Sequence, residues 1–273
     1  MTLHAASREA LGLAETRLSE VLADAGTDPA TVGDELLSVV DLLGREITLR
    51  RAVSDASASE DSRKALLRSV LAGKISEPTL QVLDTVAGSR WSSPRELVDG
   101  VESLGRSALL TSAEKSGKLD AVEGQLFQVA RIVAGEPELE RALSDQTAPA
   151  EAKRNLVRGL FADKVDLVTK TLVEAVVLRA KGHGLGEALD ELVRLTAERR
   201  ERSVAHVTSA SELSDEQKAQ LAEKLTRLYG RAIALHVEVD QKLGGGLIVR
   251  VGEEVIDGSV AGQLESLRKR LAG

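Results

Sequence analysis

A glycine-rich segment near the C-terminus is the first stretch of the sequence that could bind a ligand. Residues 244–259 read GGGLIVRVGEEVIDGS, with three consecutive glycines and a later Asp-Gly-Ser run. Glycine loops bind phosphate when Lys and Ser or Thr follow them at the mouth of a helix, or when a G-x-G-x-x-G turn joins a strand to a helix. Here the glycines precede an alternating apolar run. We therefore interpret them as residues that permit a sharp bend and a close backbone approach where the chain enters a hairpin.

Other side chains with catalytic or metal-binding chemistry are scattered. The histidines do not have metal-ligand spacing; they are His4, His183, His206 and His236. The absence of cysteine excludes thiolate sites and fits a reducing compartment. Asp257 could be a catalytic carboxylate, but a carboxylate before Gly-Ser more often bonds the local turn or caps a helix. We predict no catalytic residue, no metal and no cofactor.

Two basic runs and the single tryptophan each allow two interpretations. Arg199-Arg200-Glu201-Arg202 and Arg268-Lys269-Arg270 lie in the last turns of predicted helices, where cations complement the helix dipole. A basic docking patch is the alternative for both runs. Trp91 is predicted to fill the core from a loop, and the alternative is an exposed contact for a partner.

Composition restricts the class of partner. The net charge of −7 argues against a nucleic-acid partner, and only four aromatic residues are available for base stacking. No apolar run approaches the length of about 20 residues that a membrane span needs. The N-terminus lacks the basic-then-apolar layout of a signal peptide. We expect a cytoplasmic chain without direct membrane insertion, which protein partners could still hold at a membrane complex.

The most informative feature is an internal repeat. Residues 35–75 align without a gap on residues 125–165, a shift of 90 positions. Identical pairs include Arg51-Ala52 with Arg141-Ala142 and Ser54-Asp55 with Ser144-Asp145. Most other pairs exchange one aliphatic or one basic residue for another, as expected of two copies of one packed bundle.

Each copy is predicted to hold about six short amphipathic helices. The helix from Pro94 to about Ser116 begins at a Ser-Pro-Arg-Glu capping box, which starts at Ser93. This helix is predicted to close the first copy and to open the second. Helices this short must bundle to be stable.

The pattern changes after Arg202. Residues 204–207 and 233–240 read as strands, a capping box at Ser214 opens a helix, and residues 247–251 and 255–256 form a hairpin. Ser259 is a suitable N-cap for a last helix, whose apolar stripe is Val260, Leu264, Leu267 and Leu271. The predicted fold class is mainly α, with two tandem helical bundles (1–105 and 106–202) followed by a small α/β domain (203–273) that holds a short sheet and two helices.

This C-terminal pattern resembles the delta subunit of F-type ATP synthase, the family of the oligomycin-sensitivity-conferring protein. The residues that carry the resemblance are Asp240, Gly245, Gly246, Ile256, Asp257, Gly258 and Ser259. Residues from about 105 to 273 cover an ordinary member. The additional bundle in front is similar to the extended, duplicated layout of actinobacterial delta subunits, some of which are fused to the b subunit.

The resemblance implies a non-catalytic subunit of the peripheral stalk, or stator. Family members join the N-terminal segments of alpha subunits to the C-terminal region of the membrane-anchored b subunit, at the cytoplasmic face of the bacterial plasma membrane. It does not indicate which bundle binds which partner.

Two alternatives belong to other classes of protein. A general helical-repeat adaptor would not copurify with alpha and b subunits. A small nucleotide-dependent enzyme would bind ATP saturably, which we do not expect.

Overall fold

The computed structural model describes residues 3–161, 164–179, 184–229 and 233–260. Three predictions fall wholly or partly outside these residues. They concern the last helix beyond Val260, the basic run 268–270 and His183.

Eleven helices precede the sheet in the described part of the chain, and short turns connect them. The first six are α1 Ala5–Ala23, α2 Pro29–Arg45, α3 Ile47–Val53, α4 Glu60–Leu71, α5 Glu77–Gly88 and α6 Pro94–Lys115. The next five are α7 Leu119–Gly135, α8 Pro137–Ser144, α9 Ala150–Phe161, α10 Leu167–Arg179 and α11 Leu185–Arg202. Many begin at favourable residues: Asp28 accepts hydrogen bonds from the first-turn amides of α2, and proline opens α2, α6 and α8.

The helix bounds confirm the repeat. Helix α2 and helix α7 have the same length, and their ends differ by 90 positions, as do those of α4 and α9. By the same shift α1 corresponds to α6, and α6 corresponds to α11. Helix α6 is therefore the last helix of the first copy and the first helix of the second, as the sequence predicted.

One ion pair repeats with the helices. The Arg68 guanidinium contacts the Asp84 carboxylate at 2.9 Å, and Arg158, 90 positions later, contacts Glu174 at 2.9 Å. These contacts hold α4 against α5 and α9 against α10. Because the two pairs connect equivalent helices, the two copies share this ion pair.

The core of the first copy is aliphatic and tightly packed. Leu36 and Leu43 of α2 and Leu97 and Leu104 of α6 are at most 1% exposed. Helices α2 and α6 approach closely at Gly33, where an added Cβ would lie 3.0 Å from the Gly105 carbonyl oxygen. Side chains at these two positions would force the helices apart.

Trp91 is a core residue, as predicted, and not an exposed contact. Its ring is 6% exposed, and its Nε1 donates to the Val86 carbonyl oxygen at 2.9 Å. An added Cβ on Gly100 would meet the ring at 2.3 Å. The indole therefore fills space that only glycine leaves on α6.

The chain separates into two compact units. One comprises Met1–Ser116 and Ile132–Gly186, and the other comprises Gly117–Arg131 and Glu187–Gly273. The first unit thus includes helices of both copies. The domain boundaries at 105/106 and 202/203 stay a prediction.

The C-terminal part holds a small mixed sheet. Its elements are β1 Val204–Ser209, α12 Asp215–Tyr229, β2 Ala234–Val239, a 3-10 turn at Gln241–Leu243, β3 Leu247–Val251 and β4 Glu254–Asp257. The strand order is β2-β1-β3-β4; β1 and β2 are parallel and the other pairs antiparallel. Val207 pairs with both Val237 and Val249 across the sheet. The fold class is confirmed as mainly α with a small α/β part.

The capping box at Ser214 forms as predicted. The Ser214 amide donates to Gln217 Oε1 at 2.9 Å, and the Gln217 amide donates to Ser214 Oγ at 3.2 Å. The box at Ser93 forms only in part. The Glu96 amide donates to Ser93 Oγ at 3.2 Å, but the Glu96 carboxylate contacts His4 Nδ1 at 2.6 Å.

Candidate functional site

The glycine loop before β3 is built from left-handed backbone. Asp240 begins it, since its carboxylate accepts from the Lys242 amide at 2.9 Å and starts the 3-10 turn. Gly244, Gly245 and Gly246 then have φ values of 69°, 144° and 78°. Only glycine adopts this run of positive φ without steric cost.

The loop lies directly against the Asp-Gly-Ser turn that follows β4. An added Cβ on Gly246 would lie 2.3 Å from the Gly258 carbonyl oxygen and 2.9 Å from Ser259 Cα. The Val260 amide donates to the Gly245 carbonyl oxygen at 3.1 Å, and the Gly258 amide donates to the Leu247 carbonyl oxygen at 2.9 Å. The structure therefore brings two parts of the sequence signature into backbone contact.

Asp257 bonds its own turn. One oxygen of its carboxylate accepts from the Ser259 amide at 2.9 Å and from Ser259 Oγ at 2.6 Å. These donors lower the pKa of Asp257, because they stabilise the ionised carboxylate. Ser259 is 2% exposed, so the hydrogen bonds that hold this turn are shielded from solvent.

Two signature residues stand apart from this contact. Asp240 caps the 3-10 turn, and its amide donates to the Ser209 carbonyl oxygen at 2.8 Å at the end of β1. Ile256 pairs with Val249 in the β3–β4 ladder and is 38% exposed. The arrangement joins the loop, the turn and the sheet end, and these contacts explain the spacing of the signature without a ligand.

A second site lies within the first compact unit, between α2, α9 and α10. It is a groove with a volume of about 320 Å³. Helix α2 contributes Asp34, Leu37 and Asp41, and the facing helices contribute Arg154 and Glu174, among others. Helices of the second copy thus cover one face of a helix of the first.

Ion pairs hold this groove together. Arg154 of α9 contacts Asp41 of α2. Arg179 of α10 contacts Asp99 of α6, and its Nε lies 2.6 Å from Glu102 Oε2. Burial raises the pKa of Asp41 despite the nearby Arg154, and burial likewise raises the pKa of Glu102 despite Arg106 and Arg179. Paired charges of this kind fix the helices in register.

The amino-acid sequence alone does not indicate these ion pairs. Asp41 and Arg154 are 113 positions apart, and neither stands out from the charged surface of its own helix. The repeat offered one signal: Arg68 and Arg158 are identical under the shift, and each contacts a carboxylate on the following helix.

Three of the four histidines lie in the described residues, and none of the three belongs to either site. His4 contacts Glu96, and the rings of His206 and His236 lie edge to face with centroids 5.5 Å apart. Within the described residues, no cluster of three or more His, Asp or Glu side chains could hold a metal ion. No described helix is long and apolar enough to cross a membrane.

The basic run at the end of α11 contacts acidic residues of its own unit. Arg200 Nε lies 3.1 Å from Glu123 Oε2 and 3.8 Å from Asp120 Oδ1 on α7. At least this arginine is used inside the unit.

Comparison with known proteins gives a consistent result. A sequence profile described as ATP synthase delta (OSCP) subunit matches residues 107–271. A protein of Rhodococcus opacus named ATP synthase subunit delta is 46% identical over 99% of both chains. Subunits of the same name from Streptomyces griseus and Corynebacterium diphtheriae are 44% and 45% identical over 99% of this chain and 100% of theirs.

Proposed function

Because this chain belongs to the family of ATP synthase delta (OSCP) subunits, we propose that it is a non-catalytic subunit of the peripheral stalk of a proton-translocating ATP synthase. The observation that carries the proposal is the match to relatives of this name over 99% of the chain, including the additional bundle in front of the family profile. In this role the chain links the catalytic head to the membrane-anchored b subunit. It holds the head still while the central stalk turns.

The partners that we propose are the N-terminal segments of the alpha subunits and the C-terminal region of the b subunit. Amphipathic helices suit an aliphatic bundle, because apolar burial depends little on hydrogen-bond direction and tolerates small displacements under load. Exposed apolar side chains on the helices support such binding: Leu13 of α1 is 55% exposed and Leu167 of α10 is 62% exposed.

Attachment at two places strengthens the link between head and stalk. Once one partner is bound, the second binds at a high effective concentration, so neither contact needs extreme affinity. We place the chain at the cytoplasmic face of the bacterial plasma membrane, held there by its protein partners.

The proposal is tested by pull-down of the purified full chain with an alpha N-terminal peptide and with the soluble part of the b subunit. Both should be retained. A second measurement uses enzyme stripped of this chain, in which re-addition should restore ATP-driven proton pumping. Loss of either contact, or normal pumping without the chain, would contradict the proposal.

A calorimetric titration of the isolated chain with ATP separates this function from that of a nucleotide-dependent enzyme. We expect no saturable heat of binding, because the glycine loop contacts its own backbone at the Asp-Gly-Ser turn. Tight, saturable binding would show that the loop has a second role.

A further inference from the structure

Helix α7 of the second copy carries an exposed stripe of residues. We name Gly124, Phe127, Gln128 and Arg131 the α7 stripe; their spacing of three and four positions places them on one face. Phe127 is 55% exposed. An added Cβ on Gly124 would meet no atom within 4 Å. The stripe thus combines one large exposed apolar side chain with a glycine that leaves room for a neighbouring backbone.

The same face of the first copy is covered. Under the shift of 90, the α7 stripe corresponds to Asp34, Leu37, Ser38 and Asp41 of α2, which line the groove against α9 and α10. Leu37, the counterpart of Phe127, is only 7% exposed. The second copy thus covers this face of the first, whereas the α7 stripe is exposed in the described part of the chain.

We infer that the α7 stripe is a docking surface for an acidic amphipathic helix of another subunit. The occupant is a helix because helices cover the equivalent face in this chain. Its apolar positions pack on Phe127, and the open space at Gly124 allows its backbone to come close.

The charge of the occupant follows from one pair of equivalent positions that carry opposite charges in the two copies. On α2 the position is Asp41, and α9 supplies Arg154 to meet it. On α7 the same position is Arg131, which is exposed and has no ion pair with any described residue. A complementary helix therefore carries Asp or Glu opposite Arg131.

Charge also argues against a second copy of this chain as the occupant. The helix that covers α2 carries Arg154 and Arg158, and its counterpart α4 carries Lys64 and Arg68 at the same positions. Either helix would place cations against Arg131. Repulsion between like charges across an interface disfavours such pairing.

The inference is tested by photo-cross-linking in the assembled ATP synthase, so the experiment rests on the proposed function. A benzophenone amino acid replaces Gln128 in one full-length variant and its counterpart Ser38 in a control variant. After irradiation, mass spectrometry identifies the attached peptides. Position 128 should label a helical, acidic segment of a different subunit, whereas position 38 should label α9 or α10 of the same chain.

A pair of charge variants supplies the second measurement. Arg131→Glu should lower the yield of the adduct at position 128 about tenfold, because it places like charges together. Arg131→Lys should preserve most of the yield. Circular dichroism of the isolated variants checks that each is folded.

Three results would overturn the inference. They are an adduct at position 128 confined to this chain or to a second copy of it, no adduct at 128 when position 38 labels normally, and an unchanged yield in folded Arg131→Glu. A chain that never enters the enzyme would instead contradict the proposed function, so the two failures are distinguishable.

Discussion

Gly246 lies where two backbone segments of the C-terminal part approach closely. Its φ is 78°, and the space for a Cβ is occupied by the carbonyl oxygen of Gly258. Backbone cannot move aside as a flexible side chain can. Glycine is therefore required at this position because of the positive φ and the close backbone contact. The sequence predicted the close approach but not its partner.

We predict that Gly246→Ala destabilises the chain by at least about 2 kcal/mol, because the change combines backbone strain with a steric clash. Urea denaturation of the full-length protein measures the loss. The matched control is Gly124→Ala in the same compact unit, where the added methyl group meets nothing. We expect a gain of up to about 1 kcal/mol there, because alanine favours helix more than glycine does. Equal effects in the two variants would contradict this explanation.

Asp28 has a separate role at the start of α2. Its carboxylate accepts from the Ala30 and Thr31 amides and from the Thr31 hydroxyl. The Thr31 hydroxyl is the main cause that lowers the pKa of Asp28, and the two amides add to it. The ionised form is therefore more stable in the folded state than in the unfolded state.

We predict that Asp28→Ala costs about 1 kcal/mol at neutral pH. The contribution of Asp28 is complete above the unfolded pKa of about 4 and is lost as the pH falls through the lower folded pKa. The difference between variant and parent should thus shrink in urea denaturation below pH 4. Glu46→Ala is the control, because Glu46 precedes α3 without a side-chain cap bond. A difference that is constant with pH would exclude the cap.

At the scale of elements, α6 connects the ion pairs of the first compact unit. Asp99 is 8% exposed and Glu102 is 4% exposed, and both face Arg179 from α10. Removal of the cation would leave two buried carboxylates with less compensation. Buried charges left unpaired are among the costly defects in a folded protein.

We predict that Arg179→Met lowers the free energy of unfolding by about 2 kcal/mol, less than the full cost of a broken buried pair, since Arg106 still contacts Glu102. The pKa of Glu102 is already raised by burial, and loss of Arg179 raises it further. The deficit should therefore shrink as the pH falls and Glu102 becomes protonated. Arg194→Met, which removes exposed pairs with Glu191 and Glu198, is expected to lower the free energy of unfolding far less. Similar losses for both arginines would refute the role given to burial.

Periodicity explains how much of these elements could be predicted from sequence. Apolar stripes and capping residues placed α6 and α12, and the repeat predicted that α6 serves both copies. The ion pairs could not be predicted, because Arg179 and Asp99 are 80 positions apart and look like ordinary surface charges. Glu96 was assigned to a capping box, but His4 competes for its carboxylate. The partner of a charged side chain depends on which helices pack together, and the local sequence pattern does not contain that information.

At the scale of the whole molecule, the boundary of the family profile falls inside the helix that both copies share. The profile begins at residue 107, inside α6. A cut there removes Leu97 and Leu104, as well as the α2 surface on which α9 and α10 lie.

We therefore predict that a fragment of residues 106–273 is less helical per residue than the full chain and forms aggregates. Circular dichroism and size-exclusion chromatography measure both properties. The control fragment, residues 1–116, retains the complete first copy and should stay monomeric with a cooperative thermal transition. A soluble, fully helical 106–273 fragment would show that the first copy is dispensable for folding.

The shared helix also determines the number of residues that each additional copy of the repeat adds to the chain. Each copy spans six helices, but the chain advances by only 90 residues from one copy to the next, because α6 is counted twice. A deletion or duplication of 90 residues leaves every remaining copy with six helices. Loss of a whole six-helix block also removes the shared helix, so the remaining copy lacks its first or last helix. Relatives in which this subunit is longer or shorter should therefore differ from it by about 90 residues.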